Sequence, residues 1–254
     1  MTELYLFPHS HYCEAARWAL DLKGVAYRAT PIVPGPHLIL IPRIAPKSSL
    51  PVLLMDDDVV QGAREIMDYL DVRFPRNQLA PEGAEARAVA AQLEADADAN
   101  IGVPLRAAIY QHLIHHKAPM KHCFTHGMPA HKKLFFSLTY PILKKRIHDT
   151  YVRDDAYIAQ AKAQLADQIA RFDKRVEGRT FLVGDRLSRA DIMVASMLSI
   201  GVLPEEHPFD WPELGDDPEL LEVFDQFQAS ATFAWVRRIY RDHRNGGIMA
   251  QAAE

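Results

Sequence analysis

Residues 4–20, Leu4-Tyr5-Leu6-Phe7-Pro8-His9-Ser10-His11-Tyr12-Cys13-Glu14-Ala15-Ala16-Arg17-Trp18-Ala19-Leu20, read as a short apolar strand, a turn and an amphipathic helix. The first turn of that helix carries a hydroxyl, Ser10, and a thiol, Cys13. In a βαβ unit such a turn lies outside the carboxyl end of the strand. There the unpaired amides and the positive end of the helix dipole favour an anion such as a thiolate or carboxylate. Ser10 suits two tasks from the pattern alone: an ordinary helix N-cap, or a hydroxyl that hydrogen-bonds an anionic sulfur.

The chain around this stretch has 254 residues, enough for a substantial core and for two domains. Its apolar share, 48%, is that of a globular protein. A formal charge of -4 argues against general nucleic-acid binding, which asks for a basic face. No apolar run approaches the length of a membrane span, and the start of the chain lacks a basic-then-apolar export signal. The two cysteines, Cys13 and Cys123, are too few for a disulfide framework and suggest a reducing compartment. The expected location is the cytoplasm.

Strand-like Glu3 to Phe7 and a helix from His11 to Lys23, closed by Gly24, precede a second strand over Ala26 to Thr30. A Pro-rich connection leads to Leu50–Met55 and Val59–Gln61, two strands around the turn Asp56-Asp57-Asp58. Gly62 then opens a helix through Arg73. Residues 1–74 thus read as one α/β domain and 75–84 as a linker, and 85–254 read as an all-helical domain. Within the latter, Asp155 to Val176 has helical spacing and Ser188 with Asp191 forms a capping box. The stretch from Lys117 to Pro141, rich in His, Pro and Lys, reads as a less regular insertion. In the overlapping histidine-rich tract over 112–131, His112 and His116 share a helix face without a completed ligand pattern, so a solvated or pocket-lining role is expected rather than a metal site. The basic stretch Arg237 to Arg244 reads most simply as a solvated helix face, with dimer or domain contacts as the alternative.

Several motifs, in order, give the chain a resemblance to the glutathione S-transferase superfamily. Ser10-His11-Tyr12-Cys13 sits where glutaredoxins carry Cys-Pro-Tyr-Cys. Ala45-Pro46-Lys47-Ser48-Ser49-Leu50-Pro51-Val52-Leu53 is similar to the family's Asn-Pro-x-Gly-x-Val-Pro-x-Leu segment. Ile66-Met67-Asp68-Tyr69-Leu70 resembles its Ile-x-x-Tyr-Leu helix, and Phe181 to Asp191 resembles its Phe-Leu-x-Gly-Asp-x-x-Ser-x-Ala-Asp signature. The resemblance implies an α/β thioredoxin-like N-terminal domain followed by an all-α C-terminal domain, and a homodimer.

It also implies a function. Glutathione, as co-substrate and with no metal or prosthetic group, would bind along Ser10, Ser49, Leu50, Pro51, Gly62, Ala63 and Arg64. The Leu50–Pro51 bond would be cis, presenting the Leu50 backbone to the peptide as an added strand. Ser10 would be the catalytic residue, donating to the sulfur. A free thiol with pKa about 8.5 is mostly protonated at neutral pH, and such a donor raises the thiolate fraction. A small apolar electrophile would occupy the helical domain, with Tyr110, Phe124, Phe135, Phe136 and Tyr140 as candidate walls.

The chain departs from the family pattern at Ala45, Ser49, Gly62 and Ala63, where side chains that hold the tripeptide are missing. The backbone amides of 62–64 remain available to a carboxylate. Two other readings follow from the same residues. One is a non-catalytic module for ligand carriage or protein association. The other is a thiol-disulfide reductase, which needs Cys13 accessible.

Overall fold

The computed structural model describes residues 1–244; the last ten residues of the expected helical unit, 245–254, lie outside the described residues. Four strands, β1 (Glu3–Leu6), β2 (Arg28–Pro31), β3 (Val52–Met55) and β4 (Asp58–Gln61), form one sheet in the order β2-β1-β3-β4. β1 and β2 are parallel, Glu3 opposite Arg28, because α1 (His11–Leu22) crosses between them. β3 runs antiparallel to both β1 and β4. Asp56 and Asp57 make the two-residue turn between β3 and β4, and Asp56 takes a positive φ of 54°, as a tight hairpin turn requires. β2 runs through Pro31, which an edge strand tolerates.

Alternation in β1 turns Leu4 and Leu6 inward, 0% and 2% exposed, into the core they share with α1 and α3 (Ala63–Arg73). Lys23 caps the end of α1, with Gly24 beyond it in the left-handed region. A single turn, α2 (His37–Leu40), leads into a 3₁₀ turn over Ile41–Arg43.

The remaining described chain is mainly helical: α4 (Ala84–Ala97), α5 (Val103–Leu113), α6 (Lys117–Thr125), α7 (Ala130–Ile147), α8 (Asp155–Val176), α9 (Arg189–Val202), α10 (Pro218–Asp225) and α11 (Ala231–His243). α9 is apolar around its whole circumference and lies buried between α1, α4 and α11. Its start is fixed by Asp191, whose carboxylate accepts from Leu182 N–H, Ser188 N–H and the Ser188 hydroxyl at 2.7, 2.8 and 2.8 Å. The protein therefore has a thioredoxin-like N-terminal domain and a helical C-terminal domain. None of the helices of the described residues is long and apolar enough to cross a membrane.

Two expectations are corrected. The stretch from Lys117 to Pro141 is helical, not irregular, because most of its breakers sit at helix ends. Pro119 occupies the first turn of α6, where an N–H has no helical partner. Gly127 (φ +70°) follows α6, and Pro129 precedes α7. Only Pro141 of these lies inside a helix. The basic stretch is not a solvated face at its end either. Arg244 is 4% exposed; its Nε donates to Glu14 Oε1 at 2.7 Å and its Nη1 to Asp21 Oδ2 at 2.8 Å. Its guanidinium also lies over Trp18, so the end of the helical domain closes onto α1.

Further polar contacts join the two halves. Asp71 of α3 accepts from Leu79 and Ala80 N–H and pairs with Lys23 at 2.7 Å. Arg186 donates to the Gln78 and Ala80 carbonyls. Arg189 of α9 pairs with Glu94 of α4 and Asp68 of α3.

Candidate active site

Between the sheet's carboxyl edge and the helices lies a cavity of about 670 Å³, a usual size for a small-molecule site. Ser10, Ser49, Leu50, Pro51, Gly62, Ala63 and Arg64, which span more than fifty residues of sequence, all line it.

Ser10 is the N-cap of α1, and its Oγ accepts from Cys13 N–H at a long 3.4 Å. Both tasks foreseen for it are therefore compatible: it caps, and it faces the cavity. Cys13, by contrast, is 0% exposed, and burial raises its thiol pKa, although the Ser10 and Phe7 hydrogen bonds oppose that. A thiol in that state is a poor nucleophile.

The Leu50–Pro51 bond is cis. Gln61 holds the loop before it: its Nε2 donates to the Lys47 and Ser49 carbonyls at 2.7 Å, and its Oε1 accepts from Lys47 N–H at 2.9 Å. Among the described residues the Leu50 N–H and C=O carry no hydrogen bond, so they offer a donor and an acceptor to an extended peptide. Gly62 N–H is used, donating to Pro51 O at 3.0 Å.

α3 begins at Ala63 with no side-chain cap. Its first residues, Ala63, Arg64 and Glu65, line the cavity, so an uncapped helix start borders it. Gly62 adopts φ +112°, closed to most side chains, and the Glu65 carboxylate folds back over it. A Cβ at Gly62 would stand 2.1 Å from Glu65 Oε2. Arg64 is held by Glu94, 3.3 Å away.

The helical wall contains residues that sequence reasoning missed. α4 passes into α5 through a π-helical turn over Asp98–Gly102, and α7 ends in another over His148–Val152. Such turns often mark functional sites, and each here delivers residues to the cavity, Asp98 from one and Thr150 and Tyr151 from the other. The Tyr12 hydroxyl donates to Asp98 Oδ1 at 2.5 Å. Burial and that bond raise the Tyr12 pKa, so the phenol stays protonated. Tyr12 lies inside the opening motif, but nothing in the sequence links it to a carboxylate 86 residues away.

His9 also lines the cavity, wedged against Phe124 at 4.4 Å. Its Nδ1 lies 2.8 Å from the Cys123 carbonyl, which assigns the donor role to that nitrogen. Burial lowers its pKa to about 4, against the effect of the Cys123 bond, so the ring is neutral at pH 7. Of the aromatic candidates, Tyr110 and Phe124 reach the cavity. Phe135 is exposed, and Phe136 and Tyr140 are core.

The histidine tract has separate partners: His116 with Asp217 at 2.6 Å, His112 with Glu219 at 3.2 Å, and His122 with the Asp210 carbonyl at 2.6 Å. Among the described residues no group of three or more His, Cys, Asp or Glu is arranged to hold a metal ion.

Comparison with known proteins matches this architecture. Residues 4–78 fit the glutathione S-transferase N-terminal domain family, and residues 127–214 fit its C-terminal domain family. The chain belongs to the glutathione S-transferase superfamily. Glutathione S-transferase 1 of Dianthus caryophyllus is 34% identical over 90 residues, 34% of this chain and 41% of that protein. A stringent starvation protein A homolog of Pasteurella multocida is 38% identical over 76 residues, 30% and 36% of the two chains. The chain thus spans about two-fifths of the length of the curated relatives it matches. A glutathione S-transferase structure from Methylobacillus flagellatus KT, with glutathione bound, is 23% identical and superposes with a TM-score of 0.54. That match covers 93% of this chain and 98% of the other.

Proposed function

We propose that the protein is a cytoplasmic, homodimeric glutathione transferase that activates the glutathione thiol for attack on an apolar electrophile. The observation that carries this reading is the convergence of Ser10, the open Leu50 backbone and the uncapped α3 terminus on one cavity. The peptide lies along Ser49, Leu50 and Pro51, and its γ-glutamyl carboxylate takes the free amides of Ala63 and Arg64 beside Gly62. Its sulfur faces Ser10. The thiol gives its proton to water; the thiolate, stabilised by the Ser10 hydroxyl and the end of α1, adds to an electron-poor double bond of the electrophile, whose π pair moves onto the neighbouring atom and takes a proton back from water. The helical wall holds that partner close, and proximity supplies much of the acceleration. Exposed Leu134, Phe135, Leu138 and Ile142 along α7 give a second copy of the chain apolar surface to cover.

Titration calorimetry with glutathione and a thiol-transfer assay test this. Binding, together with turnover that falls roughly tenfold or more in Ser10→Ala, is the expected result. Absence of binding at millimolar glutathione overturns the reading, and unchanged turnover in Ser10→Ala removes its assigned role.

A second reading, a non-catalytic module on the same scaffold, is favoured by one observation. Gly62 and Ala63 offer no side-chain ligand, and the Glu65 carboxylate already lies over Gly62. Absence of glutathione binding in the same calorimetry selects it.

A further inference from the structure

The helical wall carries a cation without a counter-ion. Arg106 of α5 lines the cavity with its Cζ 4.3 Å from the Tyr151 ring centroid and 5.8 Å from that of Tyr12. Its Nε is buried with no hydrogen-bond partner. Among the described residues the guanidinium makes no ion pair. Asp98 lines the same cavity, but its Oδ1 is taken by the Tyr12 hydroxyl and it does not pair with Arg106.

Two more donors stand beside it. Tyr110 and Tyr151 line the cavity with ring centroids 5.7 Å apart, and among the described residues neither hydroxyl is hydrogen-bonded. Burial raises the Tyr110 pKa, against the pull of Arg106, which keeps that phenol a donor.

The Arg106 guanidinium is half-buried and stacks on the Tyr151 ring, yet among the described residues none of its N–H donors is hydrogen-bonded to an acceptor and its charge has no anion. An anionic ligand supplies what is missing through charge-assisted, two-pronged bonds. One such cation balances a monoanion. The surrounding wall, with Ile109, Leu113 and Trp211, suits a flat apolar body.

We propose that Arg106, with Tyr110 and Tyr151, is the receptor for the carboxylate of an aromatic acid, so that the acceptor substrates are aryl carboxylates rather than neutral arenes. This rests on the proposed function only in taking the helical half of the cavity as the acceptor side.

The test is done on the full chain without glutathione, so failure of thiol transfer and failure of this proposal give different results. Trp211 lines the cavity, and its fluorescence reports occupancy. Biphenyl-4-carboxylate and its uncharged isostere biphenyl-4-carboxamide are titrated in parallel. The acid binds roughly tenfold or more tighter than the amide to the unaltered protein. In Arg106→Gln that ratio falls to about one, with amide affinity held, whereas Arg146→Gln at the exposed cavity rim keeps it. Equal binding of acid and amide to the unaltered protein overturns the proposal whatever the variants do. So does absence of binding by either, or a ratio that survives Arg106→Gln.

Discussion

The two walls of the cavity are built from different materials. The sheet side presents main chain: the α1 terminus at Ser10, the Leu50 amide and carbonyl, and the α3 terminus at Ala63. The helical side presents side chains: Arg106, Tyr110 and Tyr151, with apolar neighbours. Main-chain groups are present whatever residue occupies the position. The first wall can therefore lose its usual side chains at Gly62 and Ala63 and keep its donors, while the second wall changes its ligand with each substitution. On the proposed function, fixed recognition would belong to the sheet and choice of partner to the helices.

For the contrast to matter, the walls must be held at a fixed separation, and α1 is the joint. Its Glu14 is 0% exposed and meets Arg244 at 2.7 Å and Arg17 at 3.1 Å. Burial would raise the Glu14 pKa; Arg244, with His207 and Arg17, more than reverses that, bringing it to about 2. Arg244→Ala leaves this carboxylate buried without its main partner, at a cost of about 3–5 kcal/mol. For a chain of this size the melting temperature falls by on the order of 10 °C. A change within 1 °C would mean that the walls are held together elsewhere, by Arg189 with Glu94 and Asp68.

A smaller effect comes from acid. His207 packs against Trp211 at 4.6 Å and Tyr240 at 6.1 Å. Its Nδ1 accepts from Phe209 N–H, so the neutral ring carries its proton on Nε2. Burial lowers its pKa to about 3, with Glu14 opposing. Between that value and the ordinary 6.5 the unfolded chain holds a proton that the folded chain does not. The stabilisation is thus complete above pH 6.5 and is lost as pH falls toward 3. At pH 5 the loss is on the order of 2 kcal/mol. Urea unfolding at pH 7 and pH 5 measures it, and His207→Gln flattens the difference. The same slope in that variant would shift the cause to His9 or His11, which burial also keeps neutral.

Legibility in the sequence follows the same division. The sheet wall was readable because strand, turn and helix starts have local signatures: Ser10 before the α1 periodicity, Pro51 ahead of an apolar run, Gly62 ahead of the α3 pattern. Asp191 was readable for the same reason, its partner Ser188 being three residues away. Arg106 and Tyr151 were not, because their contact joins residues 45 apart through two π-helical turns that no local pattern announces. For Arg244 the simpler, solvated reading fails and the alternative of a domain contact holds; its partners, Glu14 and Asp21, stand more than 220 residues upstream, beyond any local pattern. The Lys117 to Pro141 stretch was misread because proline and glycine were counted, while their places at helix ends depend on where the helices start.

The smallest effect probes the main-chain wall alone. If its ligand site is the run of amides at the start of α3, the one side chain that competes there is Glu65, whose carboxylate lies against Gly62. A fixed negative charge at a helix terminus repels an incoming carboxylate by about 0.3–1 kcal/mol, the usual strength of charge–dipole effects at such exposure. Glu65→Gln keeps the size of the side chain and removes that charge, so glutathione affinity in calorimetry rises roughly two- to fivefold. The gain shrinks as salt is raised, because Glu65 is exposed and its field is screened. Unaltered affinity at low salt would place the γ-glutamyl carboxylate away from 62–64, and the wall would then owe its recognition to Leu50 and Ser10 alone.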